Sequence, residues 1–249
     1  MSKLIAVWGS PNSGKTSFAT KLAQIIYENF RATVLVLSPD YETPILPVLF
    51  PNRKADELFS VGVPLSKTDI VQHEVVKSIV TVKGKMNLGF LGYKDGENKF
   101  TYPNYDSMKA NALLTILKGL AEFVIVDCTS SFDNVLSETA IVQADTVIRL
   151  AIPDLKSMSF FSSQLSLYTD PKYKNNEHIS VLNNVEKELF MPIEEAKSHI
   201  HAPKFVLPYS SLIRQQFIDG GLTESKKDKK YYAELKVLAD KAVSDVTNN

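Results

Sequence analysis

The sequence predicts an α/β fold, a doubly wound and mostly parallel sheet flanked by helices, on three observations. Short β-branched runs alternate with amphipathic stretches along the chain, the pattern of strands joined by crossover helices. Most of those runs are apolar at every position, as in Val34-Leu-Val-Leu37 and Phe123-Val-Ile-Val126, which marks strands covered on both faces. The first run, Leu4-Ile-Ala-Val-Trp8, passes straight into Gly9-Ser-Pro-Asn-Ser-Gly-Lys-Thr16, a glycine-bracketed turn leading from a strand into a helix.

In chain order, strands are expected at residues 4–8, 33–37, 88–93, 123–127, 146–152, 179–183 and 204–207. Helices are expected at 15–29, 67–77, 106–121, 133–143, 155–167, 193–199, 211–218 and 230–246. The first helix places Phe18, Leu22, Ile25 and Ile26 on one face by the 3.6-residue period. The second strand stops at Ser38-Pro39-Asp40, which reads as a turn. Residues 41–63, with prolines at 44, 47 and 51 and another directly after at 64, form the least regular part of the N-terminal half. In this fold an insertion there lies beside the ligand crevice at the strands' carboxyl ends.

The chain has 249 residues, with no internal repeat and no Pro-rich or Gly/Ser-rich linker, and is read as one domain, 1–249. Lys plus Arg and Asp plus Glu number 28 each, so the net field favours neither nucleic acid nor an acidic membrane. Residues 1–6 are too short and too quickly followed by the glycine turn to read as a signal peptide. No apolar run reaches the length of a membrane span. The single cysteine, Cys128, excludes disulfide scaffolding within the chain and fits a cytoplasmic location.

The turn carries the chemistry. Gly9 and Gly14 bracket a G-x-x-x-x-G-K-T loop, whose backbone N–H groups turn inward around phosphate oxygens. Ser10, Pro11, Asn12, Ser13 and Ser17 complete the expected phosphate-binding set, Lys15 reaches the β and γ phosphates, and the Thr16 hydroxyl is placed to ligate Mg2+. The phosphates then sit at a helix N-terminus, where the dipole favours anions. Phe123-Val-Ile-Val-Asp127 has the Walker B pattern, and Asp127 is the expected second holder of the metal. Asp40 either orients the attacking water or joins the metal's outer shell, or else opens a Ser-Pro-Asp turn.

With those motifs the chain resembles the MinD/ParA family of dimerising P-loop ATPases, within the SIMIBI class. The likeness extends to Ala144-Asp-Thr-Val-Ile-Arg-Leu-Ala-Ile-Pro-Asp-Leu-Lys-Ser157, to Val181-Leu-Asn183 and to Phe205-Val-Leu-Pro-Tyr-Ser210. The resemblance implies ATP/ADP and Mg2+ as cofactors, a hydrogen bond from Asn183 to the base, and Pro208 and Tyr209 packed against it. It also implies an ATP-dependent homodimer with a protein partner in subcellular positioning. Three departures stand out. The family's second lysine, directly after the first glycine, is Ser10 here. The first of its two aspartates after the second strand is Ser38, leaving Asp40. After Asp127 the chain reads Cys-Thr-Ser-Ser131 with no glycine. A hydroxyl cannot supply the missing positive charge, so nucleotide binding with slow hydrolysis is expected, most like the TadZ/CpaE branch used in pilus assembly and polar localisation.

Other features are set aside. His199-Ile-His201 is not read as a metal site, since its neighbours do not offer the rest of a shell, and His73 and His178 are isolated. Cys128 reads as a buried strand-end thiol, residues 226–230 as a solvated basic run, and Tyr231-Tyr232 as packing. The closing helix lacks the large apolar face of a membrane-surface helix. Two other functions share this core. One is an ATP-dependent ligase or small-molecule kinase with an acceptor pocket built by residues 41–63 and 67–85; the other is a scaffold in which nucleotide binding is structural.

Overall fold

The computed structural model describes residues 2–186, 191–200 and 203–244. The chain opens with β1 (Lys3–Gly9), α1 (Lys15–Phe30), β2 (Val34–Leu37), α2 (Leu46–Leu49), α3 (Gly62–Ser66) and α4 (Gln72–Lys77). It continues through β3 (Val80–Val82), β4 (Lys85–Leu91), α5 (Ser107–Leu120), β5 (Phe123–Asp127), α6 (Val135–Gln143) and β6 (Thr146–Ala151). It closes with α7 (Leu155–Gln164), β7 (Ile179–Val185), α8 (Ile193–His199), β8 (Phe205–Pro208), α9 (Ser211–Ile218) and α10 (Lys229–Ser244).

The strands form one sheet in the order β3-β4-β2-β5-β1-β6-β7-β8, parallel throughout except for β3, which lies antiparallel on β4. Successive side chains of a strand point to opposite faces, and β1 shows the result. Ile5 and Val7 pack with Phe18, Leu22 and Ile26 of α1 and with Leu235 and Leu238 of α10. Leu4, Ala6 and Trp8 enter a second core with Leu113 and Leu117 of α5, Leu136 of α6 and Phe161 of α7. Burial on both faces is why these strands are apolar at consecutive positions.

Several elements differ from expectation, α2 and α3 among them as helices in a stretch read as irregular. Residues 67–77 do not form one helix: α3 ends before an extended Lys67, and α4 begins only after an extended Val71, where β-branched Ile70 and Val71 favour extended backbone. β3 was not expected, and Gly84, at φ 78°, turns it back onto β4. The helix expected at 155–167 stops at Gln164 and tightens into a 3-10 turn, Leu165–Tyr168. The last helix runs Lys229–Ser244, and its expected end at Val246 lies outside the described residues.

This order puts β1 at the centre, between β5 and β6. Val7 pairs with Asp127, so the carboxylate stands level with the end of β1. The loops after β1, β2, β5 and β8 and the end of β7 then meet at the carboxyl edge, where open α/β sheets bind ligands.

Candidate functional site

The loop after β1 is shaped by backbone that only small residues tolerate. Gly9 has φ 153°, and a Cβ there would lie 2.0 Å from the Leu150 carbonyl oxygen. Gly14, at φ 80°, precedes α1 without any side-chain cap, and Asn12 is also left-handed at φ 62°. With no side-chain cap and no acidic residue in the first turn of α1, the helix N-terminus keeps donors free for an anion.

The Lys15 ammonium is held beside this loop by oxygen acceptors alone. Its Nζ donates to the Ser10 carbonyl at 3.0 Å, the Gly9 carbonyl at 3.4 Å and Ser130 Oγ at 2.6 Å, and Ser130 in turn donates to the Gly9 carbonyl at 2.8 Å. Burial pulls the Lys15 pKa below its usual range, against the opposing pull of Asp127 and Asp40. The Thr16 hydroxyl donates to Asp127 Oδ2 at 2.7 Å. Burial pushes the Asp127 carboxyl up to about 6, with the Thr16 hydrogen bond and Lys15 acting the other way.

A buried carboxylate whose ionisation is that costly is short of positive charge, and with a hydroxyl at its side it fits a hard divalent cation. Thr16 and Asp127 would hold Mg2+ here, where it would offset phosphate charge. Among the described residues no group of three or more His, Cys, Asp or Glu could hold a metal. The protein thus offers part of a shell, as suits a cation that arrives with phosphates and water.

These groups open on a cleft of about 740 Å³. Pro11, Asn12, Thr16, Ser17, Asp40 and Asp127 line it together with Lys15 and Gly14. Asp40 also makes the turn: its Oδ1 accepts from the backbone N–H groups of Glu42 at 2.8 Å and Thr43 at 2.9 Å. Ser10 does not line the cleft. It is fully buried, and its hydroxyl shares a 2.7 Å hydrogen bond with Ser157 at the start of α7. The Ser13 hydroxyl likewise turns back, to the Ser10 carbonyl at 2.8 Å.

Asn183 lines the cleft but is 2% exposed. Its Nδ2 donates to the Ser13 carbonyl at 2.8 Å, and its Oδ1 accepts from the Tyr231 hydroxyl at 3.4 Å. Tyr209 lines the cleft, while its neighbour Pro208 stays in β8. Among the cleft residues missed from sequence are Ser130, Asn184, Arg214 and Tyr231. Asn184 stands at a register shift in β7 with φ 55°, and its adjacency to Asn183 was the available signal. Lys15 and Arg214 are the cations among the described cleft residues. Arg214 comes from α9, on the β8 side, whereas Asp40 and Asp127 follow β2 and β5 across β1.

Cys128, on the cleft wall, is buried, and burial pushes its thiol pKa up. Tyr231 and Tyr232 are buried, the latter donating to Gln24 Oε1 at 2.9 Å. Lys227 pairs with Glu28, so part of the basic run ties the segment before α10 to α1. His178 is not isolated: it accepts from Trp8 Nε1 at 3.3 Å and donates to the Tyr173 carbonyl at 2.8 Å. His73 contacts Glu74. His201 lies outside the described residues, as does the side chain of His199.

No protein-family model and no curated protein matches the chain. Solved structures do. The septum site-determining protein MinD complexed with Mg-ADP from Pyrococcus horikoshii is 18% identical, with 98% of each chain covered and a TM-score of 0.73. A ParA family ATPase from Chlorobium tepidum is 14% identical, with 96% of this chain and 98% of that chain covered and a TM-score of 0.76. The MinC:MinD cell division protein complex from Aquifex aeolicus is 14% identical, with 96% and 95% covered and a TM-score of 0.73. At these identities the likeness establishes the fold, that of the MinD/ParA P-loop NTPases, over nearly the whole chain.

Proposed function

We propose that this chain is an ATP- and Mg2+-binding switch of the MinD/ParA kind. Nucleotide favours a homodimer, slow hydrolysis to ADP or exchange releases it, and the dimer surface engages a protein partner in subcellular positioning. The reading includes a cytoplasmic location and a role in pilus assembly and polar localisation, as in the TadZ/CpaE branch, or in partitioning. No helix among the described residues is long and apolar enough to cross a membrane.

One observation carries it. The cleft keeps what binding needs, Lys15, Thr16, Asp127 and the uncapped start of α1, while the place of the family's activating lysine is a serine sealed against Ser157. Arriving phosphate oxygens would take over Lys15 from the Gly9 and Ser10 carbonyls and Ser130. Among the described residues no second cation lines the β2 and β5 side of the cleft to offset charge developing on the transferred group. The fold shared with MinD complexed with Mg-ADP and with the MinC:MinD complex supports the reading.

The test measures Mg-ATP binding by calorimetry, phosphate release, and particle mass by light scattering with ATP, with ADP and without nucleotide. Binding, an ATP-dependent doubling of mass and turnover far below the roughly 1 to 1,000 per second of ordinary enzymes are expected. Fast hydrolysis, or a mass indifferent to nucleotide, would sink the proposal.

A further inference from the structure

A second cavity, of about 360 Å³, adjoins the nucleotide cleft and shares Tyr41 and Asn134 with it. Four tyrosines line it, Tyr41, Tyr93, Tyr102 and Tyr105: Tyr93 lies 6.1 Å from Tyr41 and 6.4 Å from Tyr102 between ring centroids. Lys99 and Asp133 stand at its edge, both exposed and without an ion pair. Next to Lys99, Phe100 is 84% exposed, the highest value for any large hydrophobic side chain among the described residues. Its ring carries the Lys99 ammonium at 4.9 Å.

We propose that this cavity receives Phe100 from a second copy of the chain, so that two copies exchange phenylalanines across a two-fold axis. An isologous interface requires a knob and a hole close together on one surface, and residues 99 and 100 supply that closeness. A benzyl group fits the volume, and tyrosine edges and faces suit it. The same symmetry sets each Lys99 beside the other copy's Asp133, pairing opposite charges, and a net charge of zero opposes no approach. Tyr41 and Asn134 link the contact to nucleotide. Tyr41 directly follows Asp40 in the turn, and Asn134 Nδ2 donates to the Pro39 carbonyl at 3.0 Å, so a nucleotide that orders residues 39–43 also shapes the cavity. The inference rests on the switch reading and names its dimer contact.

Light scattering and sedimentation with Mg-ATP test it, with Mg-ATP affinity measured on every protein. Loss of one aromatic anchor weakens association about tenfold. Phe100→Ala and Tyr102→Ala, each of which removes both contacts from its homodimer, should dimerise about a hundredfold more weakly than the parent. Mixed together, they keep one intact contact and should pair about tenfold more tightly than either alone. Unchanged dimerisation of Phe100→Ala, or no gain on mixing, overturns the contact while leaving the switch standing. A parent protein that binds Mg-ATP yet stays monomeric overturns both. Binding of an unrelated partner at the cavity, with the Phe100→Ala dimer intact, also overturns the contact.

Discussion

Replacing Asp127 with Asn should stabilise the ligand-free protein while removing its response to Mg-ATP. The unfolded chain releases this proton near the ordinary value of 3.8, and the folded chain holds it to about 6. A raised carboxyl pKa contributes stability that is present below 3.8 and lost as pH rises through 6. The full shift corresponds to about 3 kcal/mol lost by pH 8, about half of it already by pH 5. Asparagine keeps an oxygen for the Thr16 hydroxyl and carries no charge, so it escapes that cost. At about 2–4 °C per kcal/mol for a chain of this length, the variant should melt about 6–12 °C higher at pH 8 and gain about half as much at pH 5. Melting scans at both pH values, with and without Mg-ATP, provide the assay. The parent should rise by about 2.7 kcal/mol at a hundredfold excess of ligand over Kd, and the variant should not. An equal gain at both pH values would assign the effect to packing, and no gain at pH 8 would refute the cost of burying this carboxylate.

The other predictions concern the histidine, the lysine and the glycine. Burial pushes His178 down to about 4, so its contribution is present above 6.5 and lost as pH falls towards 4. About 3 kcal/mol should go over that range, most visibly in Asp127→Asn, where the opposing slope is absent; a flat pH–stability profile there would count against it. Lys15→Ala should weaken Mg-ATP binding at least about a hundredfold, the loss of charge-assisted bonds, with circular dichroism unchanged; calorimetry decides. Gly9→Ala places a Cβ 2.0 Å from the Leu150 carbonyl oxygen, and should cost more than about 4 kcal/mol, read as loss of soluble folded protein on expression.

β1, β2 and β5 were readable because strands covered on both faces show unbroken apolar runs. β3 was not, since Val80–Val82 is three residues long and owes its place to pairing with β4. The phosphate loop was readable because its demands are local: glycines where φ is positive, then lysine and threonine at fixed offsets. Ser10 shows the limit, since the sequence gives its position in the loop but not Ser157, 147 residues on, as its partner. Arg214 and Tyr231 reach the cleft only because α10 packs against both α1 and β8, and β8 leads into α9 at the same carboxyl edge, and no spacing announces that. Asp40 was read two ways, as a turn-former and as a site carboxylate, and the structure places it both in its turn and on the cleft wall.

Asn183 joins the Ser13 carbonyl to the Tyr231 hydroxyl, and this orders events during synthesis. The phosphate loop is translated first and its brace last. At about 5–20 residues per second, about 10–40 s separate residue 16 from residue 231. Throughout that interval a nascent chain carries the whole phosphate-loop motif in its sequence, while the hydroxyl that Asn183 accepts from has yet to be made. The brace from the Ser13 carbonyl through Asn183 to Tyr231 closes only when the last helix has been translated.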